Sequence, residues 1–442
     1  MAAPRLQEIL YRARVALATP PRNPRTAVVI GRLLGAAFIV CFLTGLFSHL
    51  LQERLPWMPF PTRPVWLYQG TQGTHIITGI ACFPLLFAKL YAVFPELFQS
   101  PPVRSLPHFF ERASIAVFVA ASLVEISIGL LNTYQFYSAF PFSFRRVHFA
   151  LSFVIIGSLV LHIAIKLPII MRFWRRCGRD ADTDTDTDTE LMTAPRPETS
   201  APSERATPVS DTTAMPAART GRGPTAALFA WIDGVPAPVD TAAIATSRRG
   251  FFVTVGAAVG ALVLFTGGQS IPLLRPFTLF APRRPGTGPQ GLPVNHSASS
   301  AGVAESAADA HWTLTVRSGD ASLTFTRAEL AALPQVDAVL PIACVEGWSQ
   351  TAAWRGVRLR DLVDRIGAPE HATVRVRSLQ EHSAYTVMIM PREFVRDDRT
   401  LVALELDGQV LDLDHGYPAR IIAPARPGVL QTKWLTSIEV LG

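Results

Sequence analysis

The stretch Pro341-Ile-Ala-Cys-Val-Glu-Gly-Trp-Ser349 places one cysteine between an apolar, strand-like run and a Glu-Gly-Trp turn. The chain has four cysteines, and the other three lie far upstream, in or beside apolar segments: Cys41, Cys82 and Cys177. Cys344 therefore has no disulfide partner in its own part of the chain. A thiol in this position is a small buried hydrophobe, a nucleophile or a ligand to a soft metal. For a lone cysteine, the first of these is the ordinary expectation.

The composition is that of a chain with several membrane segments. Of its 442 residues, 49% are hydrophobic and 17% are charged, and the mean hydropathy is +0.26. The net charge of +7 comes with arginines clustered beside apolar segments, a pattern typical of membrane orientation. We therefore expect a membrane, and not nucleic acid, as the partner of these charges.

Four apolar stretches in the first two fifths of the chain are long enough to cross a bilayer: residues 28–51, 66–94, 113–131 and 147–171. They predict an all-α transmembrane bundle over residues 28–171, preceded by a cytoplasmic segment, residues 1–27. Arginines cluster before the first stretch, between the second and third, and after the fourth. The positive-inside rule makes that side cytoplasmic.

Four histidines within these stretches are functional candidates, because an imidazole in a membrane interior is costly. They are His49, His75, His148 and His162; His108 is expected in a loop. His148 and His162 are fourteen residues apart, which places them on one helix face about 21 Å apart. His75 and His148 are predicted near the outer surface, where they would be the paired axial ligands of a b-type haem.

Several alternatives remain at these positions. The histidines could serve only as hydrogen-bonding groups between helices, and His49 could replace His75 as a ligand. A second haem would use His162, for which no inner histidine partner is evident; Lys89 could instead bind a haem propionate or a lipid head group, or snorkel. Glu125 is a candidate proton or quinone contact, or else an interhelical hydrogen-bonding group.

A polar linker and a fifth apolar stretch follow the bundle. Residues 172–246 lack the apolar content to pack and are predicted to be a disordered cytoplasmic linker. The sequence Ser247-Arg-Arg-Gly-Phe-Phe252 then resembles a twin-arginine signal, and residues 247–267 are expected to form that signal and the fifth transmembrane helix. The export machinery would be a partner; positive-inside orientation is the alternative reason for the paired arginines.

The remainder is predicted to be an extracytoplasmic spacer, residues 268–310, and an α+β domain, residues 311–442. Strands are expected at 312–316, 322–325, 336–343, 373–378, 385–390, 419–422 and 435–440, and helices at 327–332 and 359–366. In an oxidising compartment a thiol without a disulfide partner must be buried or metal-bound to survive. This favours the metal-ligand interpretation of Cys344.

Two separated motifs carry a family resemblance that covers most of residues 311–442. The segment Cys344-Val-Glu-Gly-Trp-Ser349, with Trp354-Arg-Gly-Val357 after it, resembles the molybdenum-ligand segment of the sulfite oxidase superfamily. The segment Asp414-His-Gly-Tyr-Pro-Ala-Arg-Ile-Ile-Ala-Pro424, continuing through Lys433-Trp434, resembles that family's pterin-binding segment. The first motif is most similar to the bacterial branch that includes the methionine sulfoxide reductase catalytic subunit.

The resemblance implies a role for each matching residue. Cys344 would give a thiolate to molybdenum beside the dithiolene of molybdopterin. A second set would bind the pterin phosphate: His415, Arg420 and Lys433. Glu346 and Trp348 would shape the substrate pocket, although core packing is an equal alternative for Trp348. Further pocket candidates are Arg355, Tyr417 and Arg426.

Together these features predict a multi-pass membrane oxidoreductase with a cytoplasmic N-terminus and an extracytoplasmic molybdopterin domain. It would exchange electrons with the quinone pool and transfer oxygen atoms, with reduction of a sulfoxide or an N-oxide favoured. One alternative is oxidation of sulfite or another sulfur compound, but no basic counterpart for an oxyanion is evident upstream of Cys344. The other is a non-catalytic binding domain of the same fold on a haem-free anchor.

Overall fold

The computed structural model describes residues 24–53, 55, 57–59, 61–94, 105–136, 142–175, 248–284, 286–381 and 383–441. The predicted linker lies almost wholly outside these residues. The predicted fold class is confirmed: several apolar helices form the N-terminal region, and a sheet-containing domain follows them.

Five helices of the described part of the chain are long and apolar enough to cross a membrane. They are α1 (Pro24–Gln52), α2 (Leu67–Val93), α3 (Leu106–Thr133), α4 (Phe144–Arg175) and α5 (Arg248–Phe265). Side chains of the first four helices form a common core, with α5 packed beside it; among them are Phe38, Cys82, Phe118, Ile155 and Val255. His108 lies in the first turn of α3, so its predicted place in a loop is wrong.

The C-terminal domain contains two sheets. Its strands are β1 (Thr313–Ser318), β2 (Ala321–Thr326), β3 (Val336–Ala343), β4 (Ser349–Arg358), β5 (Thr373–Ser378), β6 (Val387–Met390), β7 (Leu401–Leu406), β8 (Gln409–Val410), β9 (Arg420–Ile422) and β10 (Leu435–Leu441). One sheet has the order β2-β1-β10-β5-β6; the other has the order β3-β4-β7-β8, with β9 also paired to β7. The only parallel pair among these described strands is β1 with β10.

Short helices connect the strands, and one core joins the two sheets. The helices are α6 (Ala304–Ala308), α7 (Arg327–Ala332), α8 (Leu359–Asp364) and α9 (Arg392–Val395). Strand β7 is buried on both faces: Val402 and Leu404 enter the core between the sheets, and Leu401 and Ala403 enter a second core behind β3 and β4. The second core also holds the buried Cys344 and Trp348.

Much of the segment predicted as a spacer is packed against the C-terminal domain. Leu292 belongs to the core that holds Cys344, and Ala298, Val303 and Ala307 pack around Trp434. The backbone amide of Ala298 donates to Asp414 Oδ1 over 2.8 Å. The segment therefore contributes to the fold and brings residues near 295 to the cysteine.

Candidate active site at the junction of the two domains

The cysteine lies at the start of a tight turn, here named the Cys344 loop (residues 344–349). The Cys344 amide donates to Trp348 O over 2.9 Å, and the Gly347 amide donates to Cys344 O over 3.1 Å. The thiol is buried, and burial raises its pKa well above the ordinary value. Without a bound cation, the protonated thiol is therefore favoured over the thiolate. A bound metal ion would favour the thiolate.

Asn295, which the sequence analysis missed, lies between the cysteine and the tryptophan. Its Nδ2 donates to Cys344 Sγ over 2.5 Å, and its Oδ1 accepts from Trp348 Nε1 over 2.7 Å. One amide thus fixes the sulfur and the indole together, and Trp348 acts through Asn295 as well as through packing. The signal in the sequence was slight: an Asn-His pair directly after the apolar Leu-Pro-Val in a Pro- and Gly-rich stretch.

Two basic side chains of the predicted phosphate set are held by backbone carbonyls. Arg420 is buried and donates to His415 O (2.9 Å) and Gln431 O (3.4 Å), with its guanidinium 5.0 Å from the Trp354 ring centroid. Lys433 Nζ donates to Asp414 O over 2.8 Å. Burial lowers the pKa of Arg420 to about 9 and that of Lys433 to about 7, which reflects cations short of negative charge.

The same region contains unsatisfied polar atoms and further imidazoles. Among the described residues, Gln431 Oε1 and Thr432 Oγ1 are buried without a hydrogen-bond partner. His415 Nε2 donates to Pro289 O over 2.7 Å, and burial lowers the pKa of this imidazole. His296 lies beside Trp434, with ring centroids 6.4 Å apart. Buried cations and the hydroxyl of Thr432, which can donate, suit an anionic group such as a phosphate, whereas Gln431 Oε1 can only accept.

The other pocket candidates have contacts of their own, and Tyr417 packs against the core that holds Cys344 and Trp348. Arg355 is on β4 and forms partly exposed ion pairs with Asp337 and Glu405, so the structure gives it no part in the site. Tyr417 stacks beneath Arg327, whose guanidinium carbon is 5.3 Å from the ring centroid. Arg426 is buried and donates to Leu430 O and Ile389 O. These contacts are those of groups that support the fold.

Side chains of α2 and of the segment that follows α5 bind the backbone of the Cys344 loop. Gln72 Nε2 of α2 donates to Val345 O over 3.2 Å. Gln269 Nε2 donates to Glu346 O over 3.3 Å, and Ser270 Oγ donates to Gly347 O. Arg275 Nη2 donates to Ser349 O, and burial lowers the pKa of this guanidinium. Four carbonyl groups of the loop thus depend on residues outside the C-terminal domain.

Glu346 also belongs to this junction. Gln135 Nε2, just after α3, donates to Glu346 Oε1, and Gln135 Oε1 accepts from Arg283 Nη2 over 2.7 Å. Glu346 is buried, and its Oε2 has no hydrogen-bond partner among the described residues. Burial raises the pKa of this carboxyl, although Gln135 and Arg283 act in the opposite direction. The group is therefore a candidate to hold a proton beside the cysteine.

Gly347 brings the loop against α2. Its φ is +95°, and a β-carbon there would lie 3.1 Å from Gln269 Nε2 and 3.2 Å from the Ile76 side chain. Ile76 directly follows His75. The loop that carries the cysteine thus passes so close to α2 that a β-carbon at Gly347 would meet the residue next to a candidate haem ligand.

We expect Gly347→Ala to loosen this contact. Gly408→Ala is a matched control, because Gly408 has a φ of +76° and a β-carbon added there would meet nothing within 4 Å. Both changes impose left-handed strain of about 1–3 kcal/mol, but only Gly347→Ala presses a methyl group against α2. Thermal unfolding of the purified chain should show a larger fall in Tm for Gly347→Ala. Equal falls for the two variants would contradict the contact.

His75 and His148 approach each other between the helices. Their ring centroids are 6.0 Å apart, and the ring planes are nearly perpendicular at 86°. His75 Nδ1 lies 2.8 Å from Cys41 O, and His148 Nδ1 lies 3.2 Å from Glu125 Oε1. The His75 contact has hydrogen-bond geometry, which leaves Nε2 of that ring available to a metal. His148 Nδ1 lies beside a carboxylate but makes no hydrogen bond with the described residues.

The other intramembrane candidates have different neighbours. His162 stacks parallel to Phe118 at 6.5 Å, and its Nδ1 is buried without a partner among the described residues. Lys89 Nζ donates to Ala27 O over 2.7 Å, which links α2 to α1. His49 stacks on Phe149 with ring centroids 3.6 Å apart.

Comparison with known proteins identifies the C-terminal part of the chain. Residues 301–442 match the family described as "Oxidoreductase molybdopterin binding domain". The chain is 32% identical over 117 residues to the "Putative protein-methionine-sulfoxide reductase subunit YedZ1" of Azospira oryzae, covering 26% of this chain and 43% of that protein. It is 29% identical over 112 residues to the "Uncharacterized oxidoreductase YuiH" of Bacillus subtilis, covering 25% of this chain and 55% of that protein.

Mitochondrial sulfite oxidase of Homo sapiens is 31% identical over 115 residues, covering 24% of this chain and 21% of that protein. The chain thus spans between about a fifth and just over half of the length of these relatives. The match begins ten residues before the predicted boundary at 311 and includes both motifs. Residues 301–442 of this chain are therefore an oxidoreductase molybdopterin-binding domain of the sulfite oxidase superfamily.

Proposed function

We propose that this chain is a membrane-bound molybdopterin-dependent oxidoreductase that exchanges electrons with the quinone pool through its helical region. Its reaction would be the two-electron transfer of an oxygen atom, with the reduction of a sulfoxide or N-oxide favoured. For a sulfoxide, two electrons and two protons yield the corresponding thioether and water. The observation that carries the proposal is the close approach of the Cys344 loop to α2: Gln72 donates to Val345 O over 3.2 Å, and a β-carbon at Gly347 would meet Ile76, the residue beside His75.

The residues of the C-terminal domain suit molybdopterin. Cys344 would provide the soft thiolate ligand, and Arg420, Lys433 and His415 would hold the phosphate, whose charge would compensate the buried cations. Bound there, the cofactor would supply the two-electron oxygen-atom chemistry.

The remaining side chains would orient groups and hold protons. Asn295 would restrain the sulfur, and Trp348 would restrain Asn295. Glu346, buried with one oxygen unpartnered among the described residues, would store a proton close to the substrate. Trp348 and Glu346 would also form part of the wall of the substrate pocket.

Replacing Asn295 with alanine should reduce turnover, because Cys344 Sγ loses a donor and Trp348 Nε1 loses its acceptor. Loss of such an outer contact to a metal ligand typically costs about 10–100-fold in metal affinity or activity. Molybdenum content and dye-linked activity of the purified protein would measure the loss. Ser322→Ala, on the exposed β2, is the control and should leave both unchanged. Wild-type values for Asn295→Ala would show that the amide has no such role.

In the helical region we propose a b-type haem bound by His75 and His148. The 6.0 Å separation of the two rings supports this role, and so does the bond of His75 Nδ1 to Cys41 O, because it leaves Nε2 of that ring for iron. Gly45 and Gly129 lie against the two rings, and a β-carbon at Gly45 would lie 2.7 Å from His75 Cε1, so a glycine there leaves room for the imidazole. A second haem at His162 is a weaker proposal, because no inner histidine partner for it is evident in the sequence. Lys89, the alternative propionate contact, donates to Ala27 O. Glu125, whose Oε1 lies 3.2 Å from His148 Nδ1, would then lie next to a haem ligand and could exchange a proton there or contact quinone.

The direction of turnover is proposed from the relatives. The name of the Azospira oryzae protein refers to methionine sulfoxide reduction, whereas the human relative is named a sulfite oxidase. Oxidation of sulfite or of another sulfur compound is therefore the second candidate. A non-catalytic binding domain on a haem-free anchor is disfavoured, because it would give no role to the buried Cys344 thiol or to the buried cations Arg420 and Lys433.

We also propose a topology. The N-terminus would be cytoplasmic, and Arg248 and Arg249, at the start of α5, would direct export of the folded C-terminal domain by the twin-arginine machinery. The catalytic domain would then be extracytoplasmic at the cell membrane. The cytoplasmic ends of all five helices would lie on one side of the bilayer, and the Cys344 loop would lie on the other.

The direct test uses the full chain purified in lipid nanodiscs with its cofactors. A reduced quinol and a panel of sulfoxides, N-oxides and sulfite would be offered separately and together. We expect quinol oxidation that depends on a sulfoxide or N-oxide, accompanied by reoxidation of b-type absorption bands. Sulfite-dependent quinone reduction would favour the second candidate. Turnover with a reduced dye but never with quinol would remove the membrane electron route.

A further inference from the structure

The segment between α5 and the C-terminal domain, residues 267–280, folds back onto the end of α5. It consists of two 3-10 turns, Gly267–Ser270 and Pro272–Phe277. The Phe280 amide donates to Phe265 O over 2.9 Å, and the two phenylalanine rings contact edge to face with centroids 6.2 Å apart. The 267–280 segment therefore begins and ends at the same helix terminus.

One side of this segment carries polar side chains and faces inward. Gln269, Ser270 and Arg275 donate to carbonyl groups of the Cys344 loop, as described above. Gly267 packs on Ile80 of α2, where a β-carbon would lie 3.1 Å from its Cδ1 atom. Ile80 is thirteen residues into α2, which is about 20 Å along the helix axis. The segment thus starts at a depth where α2 is apolar.

The other side is apolar and exposed. The exposed fractions of Leu273, Phe277, Leu279 and Phe280 are 81%, 54%, 57% and 60%. Val160 in the middle of α4 is 63% exposed, so these side chains are as uncovered as one that a lipid bilayer would surround. Four large apolar side chains exposed within eight residues are not typical of a surface in water.

The backbone of the segment is also suited to an apolar medium. Amide groups of Ile271, Leu274, Thr278 and Ala281 donate to the carbonyl three residues earlier, and Leu279 donates to Phe277 O. Pro272 and Pro276 have no amide hydrogen. Backbone that contacts hydrocarbon must satisfy its polar groups internally. The segment meets much of this requirement, so its backbone is compatible with a lipid surrounding.

We propose that the exposed side of the 267–280 segment lies in the outer leaflet of the bilayer, with Leu273, Phe277, Leu279 and Phe280 among the acyl chains. Its inner side holds the backbone of the Cys344 loop through Gln269, Ser270 and Arg275. The 267–280 segment would thus lie between the lipid and the Cys344 loop and contact both. This inference rests on the membrane-spanning arrangement proposed above.

The test is photocrosslinking with p-benzoylphenylalanine introduced separately at Leu273 and Phe277 of the full chain in phosphatidylethanolamine–phosphatidylglycerol nanodiscs. The same probe at Val160 is the lipid-facing control, and at Leu323, exposed on β2, it is the aqueous control. We expect lipid adducts at Leu273 and Phe277, detected by mass spectrometry, at least about tenfold above those at Leu323, since only bilayer-facing sites contact acyl chains.

Each other outcome overturns the inference in a distinguishable way. Adducts at Val160 but background levels at Leu273 and Phe277 would place the segment in water while leaving the transmembrane bundle intact. Crosslinks from Leu273 or Phe277 to a second copy of the chain would show that protein covers the surface. Background levels at Val160 as well would refute the membrane arrangement itself.

Discussion

Replacing Cys344 with serine is expected to remove molybdenum-dependent turnover, with a loss greater than about 100-fold, because even outer contacts to a metal ligand cost about 10–100-fold. A hydroxyl is a harder and far less acidic ligand than a thiol, so it would not replace the thiolate at a soft metal. The change is nearly isosteric, so the buried Cys344 loop should keep its contacts with Asn295 and Trp348.

Dye-linked activity and the Mo(V) electron paramagnetic resonance spectrum would measure the effect. Cys82→Ala is the matched control: Cys82 is equally buried but lies in the core of the helices, so activity per folded molecule should remain. Cofactor content would separate loss of ligation from loss of binding, since Arg420 and Lys433 still offer a phosphate site. Full activity in Cys344→Ser would show that Cys344 is not a ligand to molybdenum.

Replacing His75 with alanine is expected to stop quinol-dependent turnover while leaving dye-linked turnover largely intact. The reason is that the proposed haem would lose one of two axial ligands, whereas the C-terminal domain would keep its own cofactor site. We expect quinol-driven rates to fall more than about 100-fold, as for loss of a metal ligand. The b-type bands in a reduced-minus-oxidised spectrum should disappear or shift.

His49→Gln is the control for this experiment. His49 lies on α1, stacks on Phe149 and approaches Glu53, so its loss should leave the absorption bands in place. If His49→Gln removes the bands and His75→Ala does not, the alternative assignment of His49 as the ligand is correct. Unchanged quinol-driven turnover in both variants would contradict an electron route through these histidines.

Secondary structure was predictable wherever a local pattern was strong. The five apolar helices agree with the predicted stretches to within about ten residues at each end, and the capping residue Thr326 marks the start of α7. Strand β7 was missed because it is buried on both faces, which removes the alternation that marks a half-exposed strand. Strand β4 was missed because polar and small residues interrupt its pattern: Ser349, Gln350, Arg355 and Gly356.

The candidate site was predictable only where one motif contained it. Cys344, Glu346 and Trp348 are neighbours in the sequence, and the resemblance covers them together with His415, Arg420 and Lys433. Asn295 was missed because it lies 49 residues before Cys344, in a stretch whose composition is typical of a loop. The helical side of the junction was missed for the same reason: Gln72 reaches Val345 across 273 residues of chain.

By itself, the sequence determined the five apolar helices, the cysteine motif and the order of the two cofactor motifs. These features depend on composition and spacing within short segments, where hydrophobicity and residue chemistry act locally. The tertiary structure alone decided that Asn295 bonds the sulfur, that His75 and His148 meet, and that the Cys344 loop rests against α2 beside Ile76. Such contacts join residues far apart in the chain, and they form only when burial of several apolar surfaces fixes the helices and sheets relative to one another.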